Sequence, residues 1–263
     1  MKYYKDEKGL IVLLDYVKNR EAFYLDNEKY YFKLTTVDDL IMELIGSIIA
    51  REYQIDHVSY QMASNNGFIG VISHDFEGDY TYVPMDTILE DVYKTDDIDR
   101  FNNIKDVNDS IKEKYGVSLE NEIIDMFLFD VLIANIDRHT FNYGILKKDK
   151  EVKLSPVFDY GEMLSSESIY YGGYSLGVDR DDYYNYRKDI KRHFLDTFLM
   201  YYDNYKDYFF DKTKIINSNN IKRVLEEVED EIKQSIPLVL RKRIINRFRE
   251  NEDIINKVMC KRR

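Results

Sequence analysis

The segment FLFDVLIANIDRHTFNYGILKKDKEVKLSPVFDYG, residues 127–161, decides the fold that this sequence predicts. Its apolar beginning completes a hydrophobic stretch over residues 119–134, which is typical of a buried central helix. The polar residues 135–142 predict a loop at the end of this helix. Two short strands are then expected at residues 143–146 and 152–158, joined by a charged turn into a hairpin.

Three polar side chains are expected to meet where this helix and hairpin end: Asp137, Asn142 and Asp159. Phosphoryl transfer uses such a set, since one carboxylate accepts the proton of the attacking hydroxyl while an Asn and a second Asp bind the divalent ions on the nucleotide phosphates. Any one of them alone would be more typical of a turn residue. Their combination on two adjoining loops favours a shared phosphate and metal site.

The loop DRHTFN (residues 137–142), followed by LSPVFD (residues 154–159), resembles the catalytic core of the HipA-like kinases, which carry a D-x-H-x-x-N loop and a Pro-x-x-Asp motif. The loop is also similar to that of the phosphatidylinositol kinases, and DYG (residues 159–161) resembles the kinase Asp-Phe-Gly motif. The resemblance implies an α+β, two-lobed protein-kinase-like fold. Its small β-rich N-lobe would span residues 1–77 and its larger, mostly helical C-lobe residues 78–263.

The same resemblance implies a phosphotransferase of the serine/threonine protein kinase type that uses ATP and Mg²⁺. Asp137 would be the catalytic base, and Asn142 and Asp159 would bind the metal. We place His139 in the catalytic loop as a brace, since the other three histidines lack the spacing of metal-ligand partners. Arg138 has two interpretations, a contact to phosphate or a pair with an acid.

A lysine and a glutamate in the N-terminal part complete the expected nucleotide site. Aromatic and apolar runs predict strands up to Lys33, and apolar residues at helical spacing over residues 40–49 predict a helix that Asp38-Asp39 could cap. Lys33 and Glu43, on this helix, match the kinase ion pair that directs the ammonium to the phosphates. A solvent-exposed lysine is the alternative, and Glu52 is the competing acid.

Two further strands at residues 58–62 and 68–72 are predicted around a turn at residues 65–67. In a two-lobed kinase the segment after such a strand is the hinge that binds adenine, and His74 and Phe76 lie there. Ordinary packing of a His and a Phe at a strand end is the competing interpretation.

The glycine-rich loop that usually covers the phosphates is missing from this sequence. Such a loop works because glycine lets backbone N–H groups approach the phosphates closely. From residue 10 to residue 45 there is no glycine at all. The turn near residues 18–21 must therefore use bulkier side chains, or the chain lacks this lid.

The rest of the C-terminal part is expected to be mostly helical. A short helix is predicted at residues 86–93, then a polar connector at residues 94–110. Residues 162–184, rich in Ser, Tyr and Gly, have the place of a substrate-binding and activation segment. Helices are expected over residues 190–263, with a break near residues 217–220.

Composition restricts the partners. A net charge of −11 argues against general nucleic-acid binding, and a single cysteine, Cys260, excludes an internal disulfide framework. No apolar run is long enough for a signal peptide or a membrane span, so we expect a cytoplasmic protein. The resemblance implies a protein substrate and an antitoxin-type partner protein. Transfer to a lipid or small-molecule alcohol, and nucleotide binding without catalysis, are the alternatives.

Overall fold

The computed structural model of the chain describes residues 2–7, 9–94, 104–133, 135, 138–161, 163 and 220–260. Its N-terminal part is a six-stranded sheet in the order β1-β2-β5-β6-β4-β3, in which β2 and β5 are parallel and the other neighbours antiparallel. The strands are β1 (Tyr3–Lys5), β2 (Ile11–Leu13), β3 (Ala22–Leu25), β4 (Glu28–Leu34), β5 (Tyr60–Asn65) and β6 (Phe68–His74).

The first helix, α1 (Val37–Glu52), packs against strands β5 and β6. The side chain of Thr36 accepts a hydrogen bond of 3.2 Å from the N–H of Asp39, so Thr36 is the N-cap. The prediction that Asp38-Asp39 caps the helix was therefore wrong. Both acids lie in the first turn instead, where their negative charges interact favourably with the positive end of the helix dipole.

The C-terminal part combines a three-stranded antiparallel sheet with five helices in its described residues. The strands are β7 (Thr81–Pro84), β8 (Gly144–Lys148) and β9 (Glu151–Leu154), and the helices are α2 (Met85–Tyr93), α3 (Ile104–Tyr115), α4 (Glu120–Ile133), α5 (Asn220–Ile232) and α6 (Leu238–Cys260). Helix α4 lies in the centre of the main hydrophobic core, as its apolar sequence predicts.

Several element boundaries differ from the sequence predictions. The predicted connector at residues 94–110 contains the start of α3, because Ile104, Val107 and Ile111 form a buried helical stripe. The second strand of the hairpin ends at Leu154, two residues before Pro156, which has no N–H to donate. A helix break at residues 233–237 was not predicted.

The expected break at residues 217–220 and the substrate-binding segment at 162–184 lie outside the described residues except for Asn220 and Met163, and so do the helices expected before residue 220. Helix α5 begins at Asn220, the last residue of the predicted break. No helix in the described part of the chain has the length and apolar character needed to cross a membrane.

Candidate active site

Lys33 lies between two carboxylates from different parts of the chain. Strand β4 carries Lys33, and α1 places Glu43, which is fully buried, in contact with its ammonium. The second carboxylate belongs to Asp159, whose Oδ1 is 2.5 Å from the Lys33 Nζ. The predicted ion pair of Lys33 with Glu43 is thus present, whereas the competing acid, Glu52, pairs with Arg223 at the surface.

The charges of this cluster shift the pKa values of its members. Burial lowers the pKa of Lys33, but the attraction of Glu43 and Asp159 outweighs it and raises that pKa. Burial likewise raises the pKa of Asp159, but Lys33, Arg138 and Arg20 overcome this and hold it below its usual range. The pKa of Glu43 is raised by its burial, against the attraction of Lys33. Lys33 and Asp159 are therefore charged at neutral pH.

The backbone around Asp159 is fixed by contacts to the N-terminal part. Asp159 has a φ of +63°, a left-handed conformation in which Asp is one of the tolerated residues. Its N–H donates to the hydroxyl of Tyr60 over 3.2 Å, and the N–H of Tyr160 donates to Glu43 over 2.9 Å. A Cβ at Gly46 would lie 2.3 Å from the Tyr160 ring, so only glycine fits there.

A buried ion pair holds the loop before Asn142 in place. The guanidinium of Arg138 donates to both carboxylate oxygens of Asp130, over 2.9 and 3.1 Å, and both side chains are fully buried. It also donates to the carbonyl oxygens of Asn142, over 2.7 Å, and Phe158, over 2.6 Å. Arg138 therefore pairs with an acid, the second of its two interpretations, and connects α4 to both polar loops.

The structure describes some of the remaining residues of the predicted catalytic loop and leaves out others. Asp137 lies outside the described residues, so its role as catalytic base stays a prediction. The Nδ1 of His139 accepts a hydrogen bond of 3.2 Å from the N–H of Phe141. The N–H of Asn142 donates to the carbonyl of His139 over 2.9 Å. The first of these bonds is made by the His139 ring and the second by its backbone carbonyl, and the bracing role of His139 stays a prediction.

A cavity of about 370 Å³ opens beside the Lys33 cluster. Its polar lining residues include Lys33, Asp159 and Asn142, together with Arg20, Ser73 and Glu77. Carboxylate and amide oxygens suit Mg²⁺, so Asp159 and Asn142 fit the predicted metal role as a donor set. Their metal binding stays a prediction.

Aromatic rings form another part of the cavity wall. The rings of Phe76 and Phe158 are stacked with centroids 5.5 Å apart, and Tyr82 meets Phe76 edge-on at 5.4 Å. Such a surface can hold a planar base by stacking. The predicted hinge residue Phe76 therefore reaches the cavity.

The other predicted hinge residue, His74, does not reach the cavity. Its exposed ring contacts Glu28 over 3.2 Å and packs against Tyr30, away from the cavity lining. Side chains alternate along a strand, so the neighbouring Ser73 points to the cavity instead. The predicted strand ended at Ile72, whereas β6 continues to His74, and this extension decides which side chain faces inward.

Sequence reasoning missed several residues of the site. Arg20 and Tyr82 line the cavity without belonging to a recognised motif. Asp130 could have been suspected, because an acid within an apolar helix requires a buried partner. Nothing in the sequence around Gly46 indicates that glycine is required. The requirement arises because the Tyr160 ring packs directly against this position in the folded chain.

Comparisons with known proteins agree with this architecture. The family model described as the HipA-like C-terminal domain matches residues 26–236 of the 263. The serine/threonine-protein kinase CtkA of Helicobacter pylori strain J99 is 45% identical over 42 residues, which are 15% of this chain and 13% of that protein. This sequence match therefore spans only a small part of the curated relative.

Two solved structures are similar over most of the chain. The crystal structure of the Helicobacter pylori proinflammatory kinase CtkA matches with a TM-score of 0.66 and 18% identity, covering 91% of this chain and 92% of that one. A chain of the Shewanella oneidensis MR-1 toxin–antitoxin complex of HipA, HipB and operator DNA matches with a TM-score of 0.52 and 12% identity, covering 90% and 64%. These similarities confirm the predicted α+β, two-lobed kinase-like fold. The lobe boundary at residue 77 stays a prediction.

Proposed function

The chain belongs to the family of HipA-like C-terminal domains, and on this premise we propose that it is a kinase that uses ATP and Mg²⁺. One observation carries the proposal. Lys33 is held between Glu43 and Asp159 on a cavity that Asn142 also lines. Phosphoryl transfer depends mainly on such positioned charges, because the enzyme must place the phosphates and neutralise charge that develops on them.

The cavity offers separate contacts for the base and the phosphates of ATP. The adenine ring would stack on the aromatic wall formed by Phe76 and Phe158. Stacking there would bury the apolar faces of the ring without requiring one fixed orientation. The ammonium of Lys33 would bind a phosphate oxygen. Because Glu43 and Asp159 fix that ammonium, little side-chain entropy is lost when the nucleotide binds.

Asp159 and Asn142 would hold the magnesium ion. In the described part of the chain, the Asp159 carboxylate accepts hydrogen bonds through Oδ1 alone, from Lys33, and its Oδ2 accepts none. When bound, the ion would neutralise negative charge on the phosphates. Asp159 stays ionised at neutral pH because Lys33 holds its pKa down, so its carboxylate is ready to bind a cation.

Asp137 would accept the proton in the chemical step. An acceptor hydroxyl attacks the γ-phosphorus, a new P–O bond forms, and the bond to the β-phosphate oxygen breaks to release ADP. The hydroxyl proton passes to the Asp137 carboxylate. Arg138, the next residue, would position the loop through its buried pair with Asp130.

The acceptor in this proposal is a Ser or Thr hydroxyl of a protein. Its support is the similarity to CtkA, which is named a serine/threonine-protein kinase. HipA is part of a toxin–antitoxin complex with HipB in the matching structure. For this chain an antitoxin-type partner stays a prediction.

The test is transfer of label from [γ-³²P]ATP with and without Mg²⁺, followed by phosphoamino acid analysis of the labelled chain and of added protein acceptors. We expect phosphoserine or phosphothreonine only with Mg²⁺. Asp137→Ala should reduce the rate by about 10²- to 10⁴-fold, the contribution typical of a general base.

A matched control isolates the role of Asp159. Asp159→Asn and Asp149→Asn both change an Asp with positive φ outside the strands and helices, but Asp149 is exposed in the turn of the β8–β9 hairpin and does not line the cavity. We expect loss of activity for the first variant and none for the second. Equal labelling of wild type and Asp137→Ala would refute the kinase proposal. ATP binding without any transfer would indicate a nucleotide-binding module instead.

A further inference from the structure

The loop between β2 and β3, residues 14–21, contains the turn where the sequence analysis expected a glycine-rich lid, and it lies beside the strand that carries Lys33. At Val17 this loop is attached to the sheet by the side chain of Asn65. The N–H of Val17 donates to the Asn65 Oδ1 over 3.3 Å, and the Asn65 Nδ2 donates to the Val17 carbonyl over 2.5 Å. Both residues are buried. The first half of the loop is thus fixed without glycine.

The second half of the loop is fixed beside Lys33. The Asn19 Oδ1 accepts a hydrogen bond of 2.8 Å from the N–H of Leu34. The N–H of Arg20 donates to the carbonyl of Phe32 over 2.7 Å. These two bonds are made to the residues on either side of Lys33 in β4, so the loop cannot move away from the cavity without breaking them.

Arg20 adopts a backbone conformation that is unusual for its residue type. Its φ is +61°, in the left-handed region where side chains with a Cβ are disfavoured. Strain of this kind is often retained where it places a functional group. Here the result is that the Arg20 side chain lines the same cavity as Lys33 and Asp159.

The guanidinium of Arg20 is available to a ligand. It makes no hydrogen bond or ion pair with any residue that the structure describes, and the residue is exposed. Its positive charge acts on the Asp159 carboxylate across the cavity. An unpaired guanidinium beside a lysine, in a chain with a net charge of −11, is suited to an anion.

We propose that Arg20 binds the phosphates of the nucleotide with its guanidinium and so replaces the backbone N–H groups of a glycine-rich lid. This inference rests on the proposed function, since the anion is the triphosphate of ATP. A guanidinium reaches phosphate oxygens through two parallel N–H groups, so the backbone of the loop need not approach them closely. The absence of glycine from residues 10–45 is then compatible with nucleotide binding.

The test compares the binding of ATP and adenosine, both with Mg²⁺, by titration calorimetry on the full chain. Arg20→Ala should weaken ATP binding by about 10- to 100-fold, the range typical of a lost charge-assisted hydrogen bond. Adenosine binding should change less than about twofold, since adenosine carries no phosphate. Arg20→Gln, which keeps the length of the side chain without its charge, should lose a similar factor for ATP.

Lys18→Ala is the matched control, because Lys18 is an exposed cation of the same loop and does not line the cavity. It should leave both affinities unchanged. Unaltered ATP affinity in Arg20→Ala and Arg20→Gln, or an equal loss for adenosine, would overturn the inference while the proposed function stands. A wild-type chain that does not bind ATP would overturn both.

Discussion

The buried pair of Arg138 and Asp130 should determine both the stability of the chain and the geometry of the active-site loops. We consider three variants: Arg138→Met, Asp130→Leu and the double substitution. Each single change removes one of two charges that are fully buried and hydrogen-bonded to each other. The double change replaces both charges with apolar side chains of similar size. Comparing the three separates the cost of an unpaired charge from the value of the pair.

The expected magnitudes follow from this burial. Leaving one member of a buried ion pair without its partner costs about 3–5 kcal/mol, whereas replacing both members by packed apolar groups is often close to neutral. Each single variant should therefore lose about 3–5 kcal/mol of unfolding free energy. The double variant should lose much less than the sum, which corresponds to a coupling of about 3 kcal/mol or more.

Urea unfolding followed by far-ultraviolet circular dichroism measures these differences through the transition midpoint and slope. The control is the pair Lys105–Asp109 on α3, whose side chains are 82% and 49% exposed. Lys105→Met, Asp109→Leu and their double variant should show no resolvable coupling in unfolding free energy, because solvent screens an exposed pair. Losses that simply add in the Arg138 and Asp130 double variant would refute the reasoning.

The double variant should also separate stability from activity. Arg138 donates to the carbonyl oxygens of Asn142 and Phe158, and methionine cannot replace those bonds. The double variant should therefore regain the stability that each single variant loses to an unpaired charge, but not phosphoryl transfer, and the two carbonyl oxygens left unpaired keep it less stable than wild type. Wild-type transfer by the double variant would show that Arg138 does not position these loops.

Three further predictions concern the segment around Asp159. Gly46→Ala should cost about 1–3 kcal/mol in urea unfolding, because its Cβ would overlap the Tyr160 ring; an unchanged midpoint would contradict this packing. Tyr60→Phe should cost about 1–2 kcal/mol, because it removes the hydroxyl that accepts the Asp159 N–H, and equal stability would exclude that bond. The pKa of Asp159 is lower in the folded chain than in the unfolded chain, where it is about 3.9. The ionised carboxylate therefore contributes its full stabilisation at pH values above the unfolded pKa, and this stabilisation is lost as the pH falls through the folded pKa. The stability advantage of wild type over Asp159→Asn should thus shrink below pH 4, and an advantage that grows there would show the opposite shift.

Sequence periodicity predicted the parts of the fold that depend on local patterns. The apolar spacing along α1 placed Glu43 on a helix, and the apolar run before residue 134 gave the buried helix α4. The pairing of Lys33 with Glu43 was predicted from the kinase ion-pair pattern, whereas both helices follow from spacing along the chain alone. For α1 and α4, the pattern of nearby residues in the sequence is enough to predict that a helix forms.

The rest depends on contacts between distant residues or on exact strand ends. Asp130 and Arg138 are eight residues apart and form their ion pair only in the folded chain, where both are buried. His74 was assigned to the cavity, but a strand two residues longer than predicted turns Ser73 inward instead. The positive φ of Arg20 also carries no sequence signal, since Arg is not a residue that favours it.

The arrangement around Lys33 shows how one ammonium joins the two parts of the fold and how it would still bind the proposed nucleotide. An ammonium has three N–H donors. In the described part of the chain two of its contacts go to Glu43 on α1 and to Asp159 after the hairpin. Because one donor is left over and Lys33 lines the cavity, the proposed phosphate oxygen would bind without breaking either ion pair. The site is therefore assembled by the fold itself, and ligand binding would not require the N-terminal and C-terminal contacts to rearrange.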